Sequence, residues 1–271
     1  MDSNVVEGDR LFLIAENLAQ DFSRLPTIEA EAYGGMRGLV SRSSIARRLS
    51  ALDAMDIDTY IETVVEPAET QARPSAPSVI QVLGSIIEEE SDGPFYCATV
   101  AMDFDGEERL IGFLAQDRSI QNGTWMPQHH LAAVAFVEKC SKRAMPIVSL
   151  MDTPGAASDA EANRGNQAHS ISRLITEMSN VDVPNVGIIF GLGYSGGAIP
   201  LAASNIILSV RDGVFSTIQP KSLASIARRL NLSWQECAKH VGVSPYELMQ
   251  QGNIDGIIDY VPGDDGHRLE N

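Results

Sequence analysis

The run Gly191-Leu192-Gly193-Tyr194-Ser195-Gly196-Gly197-Ala198 joins a short apolar segment, residues 186–190, to an apolar, Ala-rich stretch. The order strand, glycine turn, helix exposes backbone N–H groups that can hold an anion or a developing oxyanion. Three local patterns overlap here. Gly191-x-Gly193-x-x-Gly196 has the spacing of a dinucleotide loop, with Asp212 about 20 residues on as its acidic partner, although such a loop normally sits in the first βαβ unit of its domain. Gly193-x-Ser195-x-Gly197 has the spacing of a nucleophile elbow, with Asp212, Asp255 or Asp259 available to orient His240 or His267 in the order Ser…Asp…His. Such a triad is defined by geometry rather than by spacing. The third pattern needs a second element. Met151-Asp152-Thr153-Pro154-Gly155-Ala156 also follows an apolar segment and also turns at a glycine. Two successive βα units of this kind place two N–H-rich turns side by side at one sheet edge. That suits a thioester enolate or a similar oxyanion.

The elements that must position these turns read as an α/β core. Residues 146–151 and 186–190 are short apolar runs of buried-strand type, and residues 130–140, 167–179 and 200–203 carry helical patterns. Residues 206–209 and 214–218 continue the strand series. Residues 96–104 and 110–116 are β-rich around Asp105-Gly106, a hairpin signal. Residues 79–87 are a helix candidate, with Glu88-Glu89-Glu90 at its solvated end. Ser233 and Glu236 form a capping box, and Ser244-Pro245 starts a further helix. Upstream, Leu11, Ile14, Ala15, Leu18 and Phe22 recur at helical spacing, Tyr33 to Gly38 read as a loop, and residues 43–65 are helical with a break near Asp56. A Pro-, Ala- and Thr-rich stretch, residues 66–78, reads as a linker. The expected organisation is an N-terminal helical arm, 1–66, and a catalytic domain, 67–271.

The bulk numbers narrow the partners. A net charge of −16 argues against nucleic acid or an anionic membrane as a main partner. No apolar run reaches the roughly 18 residues of a membrane span. The start of the chain lacks the basic and apolar regions of a signal peptide, so a cytoplasmic protein with reduced Cys97, Cys140 and Cys237 is the expectation. No metal site is expected. His129-His130 has no third ligand at metal spacing and reads as a surface pair at a helix start. The plain readings of other polar residues are Asp152 as a turn cap and Arg164 as a solvated cation.

Met145-Pro146-Ile147, Asp152-Thr153-Pro154-Gly155-Ala156, Arg164-Gly165, Glu177-Met178-Ser179, Val183-Pro184, Gly191-x-Gly193-x-Ser195-Gly196-Gly197-Ala198 and Ala224-Ser225-Ile226 occur in this order. Together, over roughly residues 73–262, they closely resemble the α subunit of bacterial acetyl-CoA carboxylase carboxyltransferase, a member of the crotonase-like superfamily. The resemblance implies a crotonase/ClpP-like fold of repeated ββα units. It implies transfer of a carboxyl group from carboxybiotin, held on a separate biotin carrier protein, to acetyl-CoA or a related acyl-CoA, giving malonyl-CoA. It implies a hetero-oligomer in which a β-type subunit supplies most of the acyl-CoA pocket. Carried onto this chain, the N–H groups of Gly196 and Gly197 polarise the biotin ureido oxygen, and Gly155, Ala156, Gly193, Tyr194 and Ser195 line the substrate site. Ser195 then shapes the turn and attacks nothing. The chain departs from the family at four places. Leu192 and Tyr194 interrupt a Gly-Glu-Gly-Gly run, so Tyr194 is expected to narrow or fill the biotin site. Ala157-Ser158-Asp159 replaces Tyr-Pro-Gly, and Gln116-Asp117-Arg118-Ser119 replaces a basic His-x-Lys-Gly stretch. Lys221 stands where the family has an acidic residue. These departures also fit a non-catalytic scaffold paralogue, and the elbow pattern keeps a serine hydrolase using Ser195 as a further alternative.

Overall fold

The computed structural model describes residues 38–70, 73–104 and 106–262. The expected helix over 10–22, the first part of the loop at 33–38, Asp105 and His267 lie outside them. Helix α1 (Arg42–Ala54) starts at Ser41, whose hydroxyl accepts the Ser44 N–H. The break expected near Asp56 is a cap: its carboxylate accepts the Thr59 N–H at 2.8 Å and starts α2 (Ile57–Tyr60). The helix passes through a π turn, Ile61–Val65, into α3 (Glu66–Glu69). Pro67, which lacks the N–H an α-helix would use, follows directly on that π turn. Residues 66–69 are therefore helical where a linker was expected. Tyr60, Val64, Val65 and Ala68 bury into the same core as the strands. The Tyr60 hydroxyl donates to Glu247 at 2.7 Å.

Helix α4 (Ala76–Leu83) ends earlier than the expected 79–87. At Gly84 the chain closes on the next strand so tightly that a Cβ would sit 2.9 Å from Val100 Cγ1. Strand β1 (Ser85–Asp92) follows at once, paired antiparallel with β2 (Phe95–Phe104). Glu88-Glu89-Glu90 thus lie in an edge strand and not at a helix end, because ladder pairing overrides the weak helical preference of glutamate. Glu88 pairs with Lys139 and Arg143. β2 and β3 (Glu107–Gln116) form the expected hairpin, with Gly106 at φ +87° in its turn.

Next come α5 (Pro127–Lys142), β4 (Ile147–Thr153), α6 (Ala160–Arg164), α7 (Gln167–Asn180), β5 (Asn185–Tyr194) and α8 (Ser195–Ala202). The chain ends through β6 (Ile206–Val210), β7 (Val214–Ser216), α9 (Pro220–Ile226), α10 (Trp234–Val241), α11 (Pro245–Gln250) and β8 (Gly256–Ile258). Both expected capping boxes, at Ser233 and Ser244, are formed. The sheet order is β1-β2-β3-β4-β5-β6-β8, antiparallel up to β3 and parallel beyond it. Strand alternation gives the sheet two apolar faces: Phe95 and Cys97 enter one core, Tyr96 and Ala98 the other. The three cysteines are free and buried, and burial pushes the Cys97 and Cys140 thiols up to about 12. Among the described residues no helix is long and apolar enough to cross a membrane.

One detail of the sheet sets up the site. The first half of β5, Val186 to Ile189, pairs with β6, but its last residues, Leu192 to Tyr194, pair with β7. The strand changes partners halfway. Its C-terminal end leaves β6 and runs beside the end of β4.

Candidate active site

The two glycine turns sit at the ends of neighbouring parallel strands, with Thr153 in register with Gly193. In the first turn the Thr153 hydroxyl donates to the Gly155 carbonyl at 2.9 Å and accepts the Gly155 N–H at 3.2 Å. Gly155 has φ +148°, a conformation L side chains rarely adopt. The second turn passes through Ser195 at φ +58°, left-handed backbone that costs a non-glycine residue about 1 kcal/mol. Helix α8 has no side-chain cap. The N–H groups of Gly196 and Gly197, in its first turn, have no intrahelical acceptor and point outward from the helix start. A Cβ on Gly197 would lie 2.6 Å from Gly155 C and 2.7 Å from Ala156 N. The two turns are therefore in direct backbone contact, and glycine at 197 is what permits it. Gly196 differs: a Cβ there would meet only Ile171 Cδ1, at 3.3 Å.

A buried polar network lies beneath the turns. The Asp152 N–H donates to Gln116 Oε1 at 3.1 Å, and Gln116 Nε2 donates to the Gly197 carbonyl at 2.8 Å. Asp152 Oδ1 accepts the Leu192 N–H at 2.9 Å and lies 3.4 Å from Arg118 Nη1. Arg118 donates in turn to the carbonyls of Ala68, Glu69 and Thr70, where the negative end of the α3 dipole favours a cation. Burial is the largest influence on the Asp152 carboxyl and pushes it up; Arg118, the Leu192 N–H and Arg73 pull the other way. The first turn has a second support in Trp125, which is fully buried. Its carbonyl accepts the Ala157 N–H at 3.1 Å and Gln167 Nε2 at 2.8 Å, and its indole N–H donates to Pro94.

Of the residues expected in the site, Gly155, Ala156, Ser195 and Gly196 are half-buried at the turns, and Gly197 is buried at their contact. Gly193 sits in strand backbone, where a Cβ would come within 2.7 Å of Phe215 Cδ2. Tyr194 is a correction. Its side chain points into the core at 1% exposure and neither narrows nor fills an opening. Strand alternation at the end of β5 turns it inward. Its hydroxyl has no hydrogen-bond partner among the described residues, and burial, with the nearby Glu69 charge, raises its pKa. The sequence reading missed Gln116, Arg118 and Trp125 as supports of the site. The available signal was a glutamine and an arginine directly after the apolar run that ends β3.

The competing patterns come apart in three dimensions. Gly191 serves close packing: its Cβ would lie 2.7 Å from the Asp152 carboxyl carbon. Asp212, the dinucleotide acid, is paired with Arg73, which also donates to the Phe190 carbonyl. Of the other triad acids, Asp255 accepts the Ile207 N–H and Asp259 pairs with Arg211. His240 lies beside Leu223, Leu230 and Val241 in an apolar groove between α9 and α10. Among the described residues no hydrogen bond links Ser195 to a histidine. Asp152 accepts from Leu192 and so caps no turn of its own, whereas Asp159, in place of the family's Tyr-Pro-Gly, caps α6. His129 and His130 are buried and not a surface pair: each bonds Met126, the His129 ring stacks on Phe95 and the His130 ring packs edge-on against Trp125. Arg164 is exposed, and Lys221 lies 5.0 Å over the Trp234 ring. Among the described residues no three His, Cys, Asp or Glu converge on a metal position.

Comparisons with known proteins follow the same geometry. Residues 114–268 match the family model described as acetyl co-enzyme A carboxylase carboxyltransferase-like. The acetyl-coenzyme A carboxylase carboxyl transferase subunit alpha of Fusobacterium nucleatum is 33% identical over 165 residues, covering 59% of this chain and 53% of that protein. The subunit of the same name from Methylobacterium nodulans is 27% identical over 251 residues, 85% of this chain and 78% of the relative. The chain spans about half the length of most of the curated relatives it matches. Among solved structures, transcarboxylase 12S aligns with a TM-score of 0.62 at 17% identity, covering 75% of this chain and 42% of that one. The MdcD–MdcE heterodimer of Pseudomonas malonate decarboxylase aligns at 0.57 and 17% identity, covering 70% and 81%. At this identity the structures establish the fold alone, a mixed α/β, crotonase-like architecture.

Proposed function

Because the chain belongs to the acetyl co-enzyme A carboxylase carboxyltransferase-like family, we propose that it is the α-type half of a biotin-dependent carboxyltransferase acting with a β-type partner. In this reading the carboxyl group comes from carboxybiotin on a separate carrier protein and goes to acetyl-CoA or a related acyl-CoA, in a cytoplasmic hetero-oligomer. The observation that carries the reading is the backbone contact of Gly197 with Gly155 and Ala156. It supports one shared opening with N–H donors from two turns.

The fit of biotin to this chain rests on that contact: glycine at 197 lets the two turns close on each other, where a Cβ would collide with the Gly155 and Ala156 backbone. When bound, biotin supplies a carboxyl group whose departure leaves negative charge on the ureido oxygen. The Gly196 and Gly197 N–H groups hold that charge as fixed donors at a helix start, without reorganising. Losing one such donor typically costs about 3 kcal/mol of transition-state stabilisation. Gly155 and Ala156 form the facing wall. Ser195 takes the left-handed bend that swings the helix start toward the opening. The mechanism uses no side-chain nucleophile, in keeping with a Ser195 that makes no hydrogen bond to a histidine among the described residues.

The test is reconstitution with the β-type subunit and measurement of carboxyl transfer from malonyl-CoA to biocytin. Malonyl-CoA-dependent carboxylation of biocytin is the expected result. A stable complex that transfers nothing overturns the proposal. The scaffold reading was motivated by Tyr194 and by the lost Tyr-Pro-Gly; the Tyr194 ring lies in the core, and Asp159 of the replacing segment caps α6. Labelling of Ser195 by a fluorophosphonate would instead revive the hydrolase reading.

A further inference from the structure

We propose that Gln116 is a positioning residue for the two-turn site, holding the backbone of both turns in one register; the inference rests on the carboxyl-transfer reading above. Its side chain is fully buried at the end of β3. The carbonyl end accepts from Asp152 N–H, at the entrance to the first turn, and the amide end donates to the Gly197 carbonyl in the second. One rigid planar group thus fixes the separation of the turns that Gly197 brings into contact. The Gly197 carbonyl shares its peptide unit with the Ala198 N–H in the first turn of α8. Donation from Gln116 polarises that unit and reinforces the positive end of the helix.

Two neighbours make the position stiff. Arg118, two residues further on, is anchored by the α3 carbonyls and faces the Asp152 carboxylate, and that carboxylate holds the Leu192 N–H. Gly123 packs against the Asp152 carbonyl so closely that it has no room for a Cβ, and its φ is +69°. Asp152 is therefore fixed at its N–H, its carbonyl side and its carboxylate, and Gln116 transmits that fixed point to Gly197. A shift of about 1 Å in such a constellation costs on the order of 100-fold in rate.

The experiment compares wild type, Gln116→Leu and Gln116→Glu in complex with the β-type subunit. Carboxyl transfer from malonyl-CoA to biocytin is followed between pH 5.5 and 8.5, roughly the range in which a buried carboxyl titrates. Gln116→Leu keeps the volume and loses both bonds; kcat falls about 10- to 100-fold with KM changed less than about 3-fold. Gln116→Glu donates to the Gly197 carbonyl only when protonated. Its kcat therefore falls as pH rises, on a limb that wild type lacks. In the chain alone, hydrogen exchange of the amides at 153, 155–157 and 195–198 speeds up in Gln116→Leu while the β2–β3 hairpin keeps its protection. Wild-type kcat in both variants across the pH range, or unchanged exchange at both turns, overturns the proposal. If wild type itself transfers no carboxyl group, the carboxyl-transfer reading fails, and the exchange comparison still decides whether Gln116 couples the turns.

Discussion

The two glycine turns touch backbone to backbone and are built by opposite means. The first is largely local. Thr153 closes it with its own hydroxyl, two residues from Gly155, and the Trp125 carbonyl receives its last N–H. The second is held from outside: a strained Ser195, the Gln116 bond to its third residue, and the backbone of the first turn pressed against Gly197. A local turn tolerates change around it. A turn fixed by tertiary contacts fails when any contact is displaced. The two adjacent glycines of the second turn are accordingly unequal, although the sequence presents them as a pair.

The sharpest way to break this comparison is Gly197→Ala. A methyl group within 2.6 Å of Gly155 backbone must push the turns apart. Carboxyl transfer is expected to fall on the order of 100- to 1,000-fold, with about 1–3 kcal/mol lost in denaturant unfolding. Near-wild-type kinetics would show that the turns do not act together.

The support behind the first turn is tested by pH. His130 packs edge-on against Trp125, with ring centroids 5.5 Å apart, and burial lowers its pKa from 6.5 to about 4. The unfolded chain therefore binds a proton that the folded chain refuses across this window. Stability is full above the unfolded value and is lost as pH falls from about 6.5 toward 4, by up to about 3 kcal/mol from this group. The difference in unfolding free energy between wild type and His130→Phe should carry that slope. Parallel pH curves would remove His130 as its source.

Smaller effects sharpen the ranking. Ser195→Gly relieves left-handed strain of about 1 kcal/mol; it should raise or preserve the melting temperature and keep kcat within about 3-fold, since the proposed transfer uses no serine nucleophile. Complete loss of activity would restore Ser195 to the chemistry. Gly196→Ala meets only the mobile end of Ile171, so its cost should stay below about 1 kcal/mol. Equal damage from Gly196→Ala and Gly197→Ala, measured side by side, would contradict the geometric distinction between them.

Much of this was legible in the chain. The strand–turn–helix order around residues 151–156 and 186–198, the β2–β3 hairpin, the break near Asp56 and the boxes at Ser233 and Ser244 are local patterns with local physical causes. The elements that misled were those whose fate depends on a distant partner. Residues 88–90 became an edge strand because Gly84 lets the chain close on β2. Tyr194 turned into the core because its strand faces α3 on that side. His129 was buried against Phe95 of β2, and His130 against Trp125.

The sequence by itself determined that two glycine turns follow two buried strands, because glycine patterns and apolar runs act over a few residues. Only the tertiary structure decided which glycine is indispensable, that Gly191 makes room for Asp152, and that Gln116 and Arg118 hold the turns together. Those roles depend on approaches of a few ångströms between residues tens of positions apart, and no local pattern encodes such a distance.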